Sequence, residues 1–145
     1  MNTNDLFYTC GLIEYIGRKT KNKRADVVTA LGKDTVSRIY RYADVFHSDL
    51  IEKVADEFIE EANIAEGTFD NVASCKYNVP DYWDIGEVFS RLIEDVYTDG
   101  EDLIDLIIKI YTSWLADAIS NFNSDLYYQP RDYILECYKE DKIVA

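Results

Sequence analysis

Between Leu50 and Ala62, apolar side chains recur at every third or fourth position: Leu50, Ile51, Val54, Ala55, Phe58, Ile59 and Ala62. A helix places such a series on one side of its backbone, whereas a strand would scatter it over both. The opposite side carries Glu52, Asp56, Glu57, Glu60 and Glu61. This segment therefore predicts an amphipathic helix lying on a core, with Ser48 or Asp49 as its cap. Related spacings recur along the chain, and no alternating run of strand type survives inspection. The fold expected is all-α.

The remaining helices follow from the same reasoning. Leu6, Cys10, Ile13 and Gly17 form a stripe over about 5–18, capped by Thr3 or Asn4. A short helix over about 25–31 carries Val27, Val28 and Leu31 and stops at Gly32, because glycine takes the left-handed conformation cheaply. Asp34 caps a third helix with Val36, Ile39, Tyr40 and Ala43. Periodicity vanishes over 66–80, where Gly67, Asn71, Ser74, Asn78 and Pro80 are turn formers. A fifth helix starts at Asp81 and is broken at Asp99-Gly100. A sixth, about 101–122, is apolar around most of its circumference and is expected at the centre of the bundle. Pro130 suits the first turn of a seventh. Residues 1–145 thus read as one helical bundle of about six to seven helices, with the 66–80 loop between two layers. Hydrophobic residues make up 48% of the 145, enough for one sizeable core.

No apolar run approaches the ~20 residues that cross a bilayer. Met1-Asn2-Thr3-Asn4-Asp5 has neither a basic segment nor a small-residue cleavage site, so no signal peptide and no membrane role are expected, and the cytoplasm is the default. Cys10, Cys75 and Cys137 are odd in number and widely spaced, which speaks against both a disulfide framework and a thiolate zinc site.

The formal net charge is −13, which disfavours general binding to phosphate backbones. It is unevenly spread. Residues 1–41 carry eight Lys and Arg against four Asp and Glu; residues 42–145 carry seven against twenty-four. Arg18, Lys19, Lys21, Lys23 and Arg24 put five cations into seven residues. Such asymmetry marks a partner-facing surface, so this basic edge and the acidic residues Glu57, Glu60 and Glu61 are candidate protein-binding groups, for a partner or for another copy of the chain.

Catalytic and metal motifs are absent. With His47 the only histidine, histidine-rich metal sites and paired ExxH di-iron sites are excluded, and the residue suits the end of a helix better than a triad. Asp95-x-Tyr97-x-Asp99-Gly100 has the opening of a calcium loop, but Tyr97 and Leu106 occupy two ligand positions. No phosphate-binding glycine loop or nucleophile elbow occurs. Neither catalytic nor cofactor-binding residues are assigned, and no cofactor is expected.

Thr35-Val36-Ser37-Arg38 resembles the start of the recognition helix in the lactose-repressor family. Only two residues separate Gly32 from Thr35 where that family has four, and so short a turn would rotate the helix away from a groove-reading pose. A DNA-binding regulator using 18–38 is the alternative reading; it requires Arg24, Lys33 and Arg38 on one exposed face. A small enzyme without a recognisable motif comes third.

The twelve tyrosines are more than one small core can bury with their hydroxyls satisfied. Tyrosine is enriched at binding hot spots. Tyr77 and Tyr82 beside the irregular segment, and Tyr127 and Tyr128 in the last loop, are the candidate surface aromatics.

Leu12-Ile13-Glu14-Tyr15, Val27-Val28, the run from Ile39 to His47, and Asp56-x-x-Ile59 together resemble a small uncharacterised helical domain of gut Firmicutes. The similarity covers about 6–61. Genes for that domain lie beside those of ADP-ribosyltransferase-like toxins and on mobile elements. The resemblance implies an antitoxin-like or accessory role, and it assigns no catalytic residues. The expected function is that of a non-enzymatic protein-interaction module.

Overall fold

The computed structural model describes residues 1–145 and contains eight α-helices, one 3₁₀ turn and no strand. The helices are α1 (Thr3–Thr20), α2 (Arg24–Arg41), α3 (Ala43–Phe46), α4 (Ile51–Glu61), α5 (Tyr82–Val96), α6 (Leu103–Tyr111), α7 (Trp114–Ser120) and α8 (Arg131–Glu140). The 3₁₀ turn spans Leu126–Tyr128. None is long and apolar enough to cross a membrane.

The first helix, not the apolar 101–122 segment, is central. Eleven of the eighteen residues of α1 are buried, and it packs against α5, α2, α4 and α3. Its closest neighbour is α5, where Gly11 and Gly86 let the two backbones meet. A Cβ on Gly86 would stand 2.8 Å from the Gly11 nitrogen and 2.9 Å from its Cα; one on Gly11 would strike the Trp83 ring. Asn2, and not the expected Thr3 or Asn4, caps α1, its Oδ1 accepting the Asp5 N–H at 3.0 Å. The Tyr40 hydroxyl accepts the Asn2 N–H at 2.7 Å and ties this end to α2.

Gly32 breaks α2 as expected, at φ 79° and ψ 164°, but the second arm resumes at once. This arm buries Val36 and Ile39. Val54, Ala55 and Phe58 of α4 face the core, leaving its carboxylates outside. Asp81 caps α5 by accepting the Trp83 N–H at 2.5 Å.

The expected helix over 101–122 is two helices. Ser113 has extended backbone (φ −80°, ψ 162°) between α6 and α7. The hydroxyls of Thr112 and Ser113 donate to the Ile108 and Ile110 carbonyls at 2.8 and 2.6 Å. Both carbonyls also accept main-chain N–H groups, from Thr112 at 3.0 Å and Ser113 at 3.1 Å, so the hydroxyls reinforce the closing turn of α6. With the short α3, this break brings the count to eight.

The irregular segment is strapped down. The N–H groups of Gly67 and Phe69 donate to the Thr20 and Lys21 carbonyls at 2.8 and 2.9 Å. Asn71, buried, donates from Nδ2 to the Ser120 carbonyl at 3.0 Å.

Candidate functional site

The basic run lies where α1 ends and α2 begins. Lys21 closes α1 in the left-handed conformation, and the turn throws successive cations toward different elements. Lys19 meets Asp56 of α4 at 2.5 Å, Lys21 meets Glu66 at 3.5 Å, and Lys23 lies 4.0 Å from Asp117 of α7. Arg18 is half-buried, donates to the Pro80 carbonyl at 2.9 Å and lies over the Phe122 ring at 5.7 Å. Farther along, Lys33 reaches both Asp102 and Asp105 at 2.9 Å, and Arg38 grips Glu61 at 2.5 Å. The cations that sequence reasoning gathers into one basic edge are thus divided among internal acceptors.

Arg24 departs furthest from expectation. It is 2% exposed, so it forms no part of a docking surface. Gly17, which has no side chain, makes room for it. Its Nε donates to Glu14 at 3.1 Å and its Nη1 to the Asn22 carbonyl at 2.8 Å. Arg24, Lys33 and Arg38 therefore share no continuous exposed face: one is interior and the other two are bound to carboxylates.

Glu14, which sequence reasoning did not single out, is fully buried. Its position four residues after Cys10, on the apolar stripe of α1, was the available signal. Burial pushes its carboxyl above the ordinary glutamate range, with the attraction of Arg24 opposing. Tyr111 adjoins both Glu14 and Cys10, and its phenol is raised by burial and by those neighbours. Burial likewise raises the Cys10 thiol, which keeps it in the unreactive neutral form. Glu14 Oε2, Arg24 Nη2 and the Tyr111 hydroxyl have no hydrogen-bond partner within the protein. His47 is exposed and lies against the rings of Tyr8 and Trp83, at centroid distances of 5.2 and 6.1 Å. No three His, Cys, Asp or Glu side chains converge on a common point.

On α4 the candidate acids divide. Glu61 is engaged by Arg38, whereas Glu57 and Glu60 are exposed and outside any ion pair. Across the molecule, nine of the fifteen Lys and Arg side chains pair with eleven of the twenty-eight Asp and Glu. Seventeen carboxylates are left without a cation.

The four candidate tyrosines also divide. Tyr82 is half-buried at the start of α5, edge-on to Tyr15 at 5.1 Å. Tyr127 is buried, edge-on to Phe122 at 5.6 Å and beneath the Tyr128 ring at 4.2 Å. Neither is the surface aromatic expected. Tyr77 and Tyr128 are, at 67% and 68% exposed, and the fold brings them to the same open groove of about 870 Å³. Lys76, Asn78, Phe122 and Asp125 are among its other lining residues.

The two walls are joined by the side chain of Asn123, whose Oδ1 accepts the Lys76 N–H at 2.8 Å and whose Nδ2 donates to the Ser74 carbonyl at 2.9 Å. The chain matches no known protein-family model, no curated protein and no solved structure.

Proposed function

We propose that this protein is a non-enzymatic interaction module that docks the basic surface of a partner protein, in an antitoxin-like or accessory role. One observation carries the reading: the cations near the turn between α1 and α2 are consumed internally, while Glu57 and Glu60 stand free on α4. A surface of one sign steers an oppositely charged partner and sets its orientation. The rigid α4, fixed by Val54, Ala55 and Phe58, presents these carboxylates without a cost in loop ordering. The resemblance over 6–61 adds the class of partner, a toxin-like protein encoded nearby.

The test is affinity capture from the native host, with wild-type protein beside a Glu57→Lys/Glu60→Lys variant and with recovered protein and nucleic acid both quantified. One stoichiometric basic protein, retained by wild type and lost with the variant, is the expected result. Enriched DNA that disappears in a Lys21→Glu/Lys23→Glu variant would replace this reading with the DNA-binding regulator. Capture indifferent to the α4 substitutions would remove α4 from the interface.

A further inference from the structure

We infer that the groove between Tyr77 and Tyr128 receives an arginine side chain carried on an exposed segment of the basic partner, an inference that rests on the reading above. This protein covers several of its own aromatic faces with cations. Three rings carry a guanidinium: Phe122 beneath Arg18, Phe58 beneath Arg38 and Tyr42 beneath Arg41, at 5.7, 5.4 and 5.8 Å. Only three tyrosines are exposed, namely Tyr42, Tyr77 and Tyr128. Tyr42 is served by Arg41. Tyr77 and Tyr128 have no such cation, and they line the same groove.

The ring face attracts a cation through its quadrupole, and guanidinium, planar and weakly hydrated, is the better partner for stacking. Tyr128 rests on Tyr127, which fixes its ring and leaves the outer face open. Tyrosine ordered in this way costs little entropy on binding. Asp125 in the groove accepts from Gln129 through Oδ2 at 3.2 Å, leaving Oδ1 for a guanidinium N–H. The polar ties of Asn71 and Asn123 span forty-seven to forty-nine residues of sequence, so the groove is built before the ligand arrives. Its volume lies in the range of preformed ligand sites. Lys76 is the one group of opposite effect, a cation on the wall without a carboxylate partner. It should weaken the binding of any cation placed there.

The experiment compares fluorescein-labelled tetra-arginine and tetra-lysine peptides by anisotropy at low salt, against wild-type protein and the variants Tyr77→Ala, Tyr128→Ala and Lys76→Ala. Both peptides carry the same net charge, but guanidinium also pairs better than ammonium with surface carboxylates, so it is the loss of the arginine preference in the tyrosine variants that assigns it to the groove. The expected result is tighter binding of tetra-arginine, a loss of roughly two- to fivefold for each tyrosine removed, and tighter binding by Lys76→Ala. Circular dichroism establishes that the variants keep their helices. Chemical-shift changes on the Tyr77 and Tyr128 rings during titration with tetra-arginine supply a readout that does not depend on the substitutions.

Equal affinity for the two peptides overturns the inference. So does an arginine preference that survives both tyrosine substitutions, or no binding of either peptide. Those results leave the α4 reading standing if partner capture still depends on Glu57 and Glu60. Loss of that dependence, with the arginine preference intact, separates the two in the other direction.

Discussion

Glu14 and Arg24 show what one pair of residues asks of this fold. Both side chains are removed from water, and their mutual 3.1 Å contact leaves Glu14 Oε2 and Arg24 Nη2 unsatisfied. Desolvation of such a pair roughly cancels its attraction, so the intact pair contributes little net stability, whereas breaking it strands a buried charge. Arg24→Met is therefore expected to destabilise the protein by about 3–5 kcal/mol, a fall in Tm of about 10 °C or more at this chain length. Glu14→Leu/Arg24→Met should recover most of that loss, because neither charge remains. Thermal denaturation of the three proteins checks this, and a double variant no better than the single one would show that the pair itself holds the core. Glu14 also gives a pH signature. Its raised carboxyl binds a proton in the native state where the unfolded chain has released one. Its contribution to stability is then fullest below the ordinary glutamate range and declines as pH rises toward the folded value. Glu14→Gln should lack that decline. Arg24 reads as surface in the sequence because it closes a polar, cationic run. Only the left-handed turn at Lys21, with Gly17 opposite, aims it inward.

At the scale of elements, apolar spacing carried most of the information. The amphipathic α4, the stop at Gly32 and the start of α5 at Asp81 were legible because each depends on local chemistry. The break between α6 and α7 was not, since an unbroken apolar pattern conceals two hydroxyls that bond back to their own helix. Nor was the α1–α5 crossing, because a helical glycine gives no sign of what will press against it. Gly86→Ala is expected to destabilise the bundle by about 1–3 kcal/mol through overpacking, outweighing the gain of up to about 1 kcal/mol in helix propensity. The obstacle is the backbone of Gly11, which cannot rotate aside. Denaturant unfolding checks the sign, and a stabilised Gly86→Ala would mean that the two helices part easily. Asp102 caps α6 through the Ile104 and Asp105 N–H groups and pairs with Lys33. Those contacts hold its carboxyl below the ordinary aspartate range, Lys33 first among them. The stabilisation is present at neutral pH and is lost as pH falls through the lowered folded value. Asp102→Asn keeps a capping oxygen without the charge, so its acid unfolding should lack this component.

For the whole molecule, charge decides more than shape. The contrast between a basic beginning and an acidic remainder was plain in the sequence, but its meaning was inverted by folding, which pairs six of the eight cations of residues 1–41 with carboxylates from other elements. What remains is an acidic surface that repels itself. Two opposing consequences follow for Glu57→Lys/Glu60→Lys. Both side chains are exposed and outside any ion pair, so the substitutions remove no native contact, and they lower the self-repulsion of a strongly anionic fold. Tm should hold within about 2 °C or rise. Added salt should raise the Tm of wild type more than that of the variant, since there is more repulsion to screen. Affinity for a basic partner should move the other way, falling in the variant and falling for wild type as salt increases. A surface kept acidic for folding alone would give the reverse order, with stability lost on charge reversal and binding unchanged. Calorimetry of the two proteins across a salt series, with and without the captured partner, distinguishes these cases, because repulsion within the chain and attraction to a partner respond to the same ions with opposite sign.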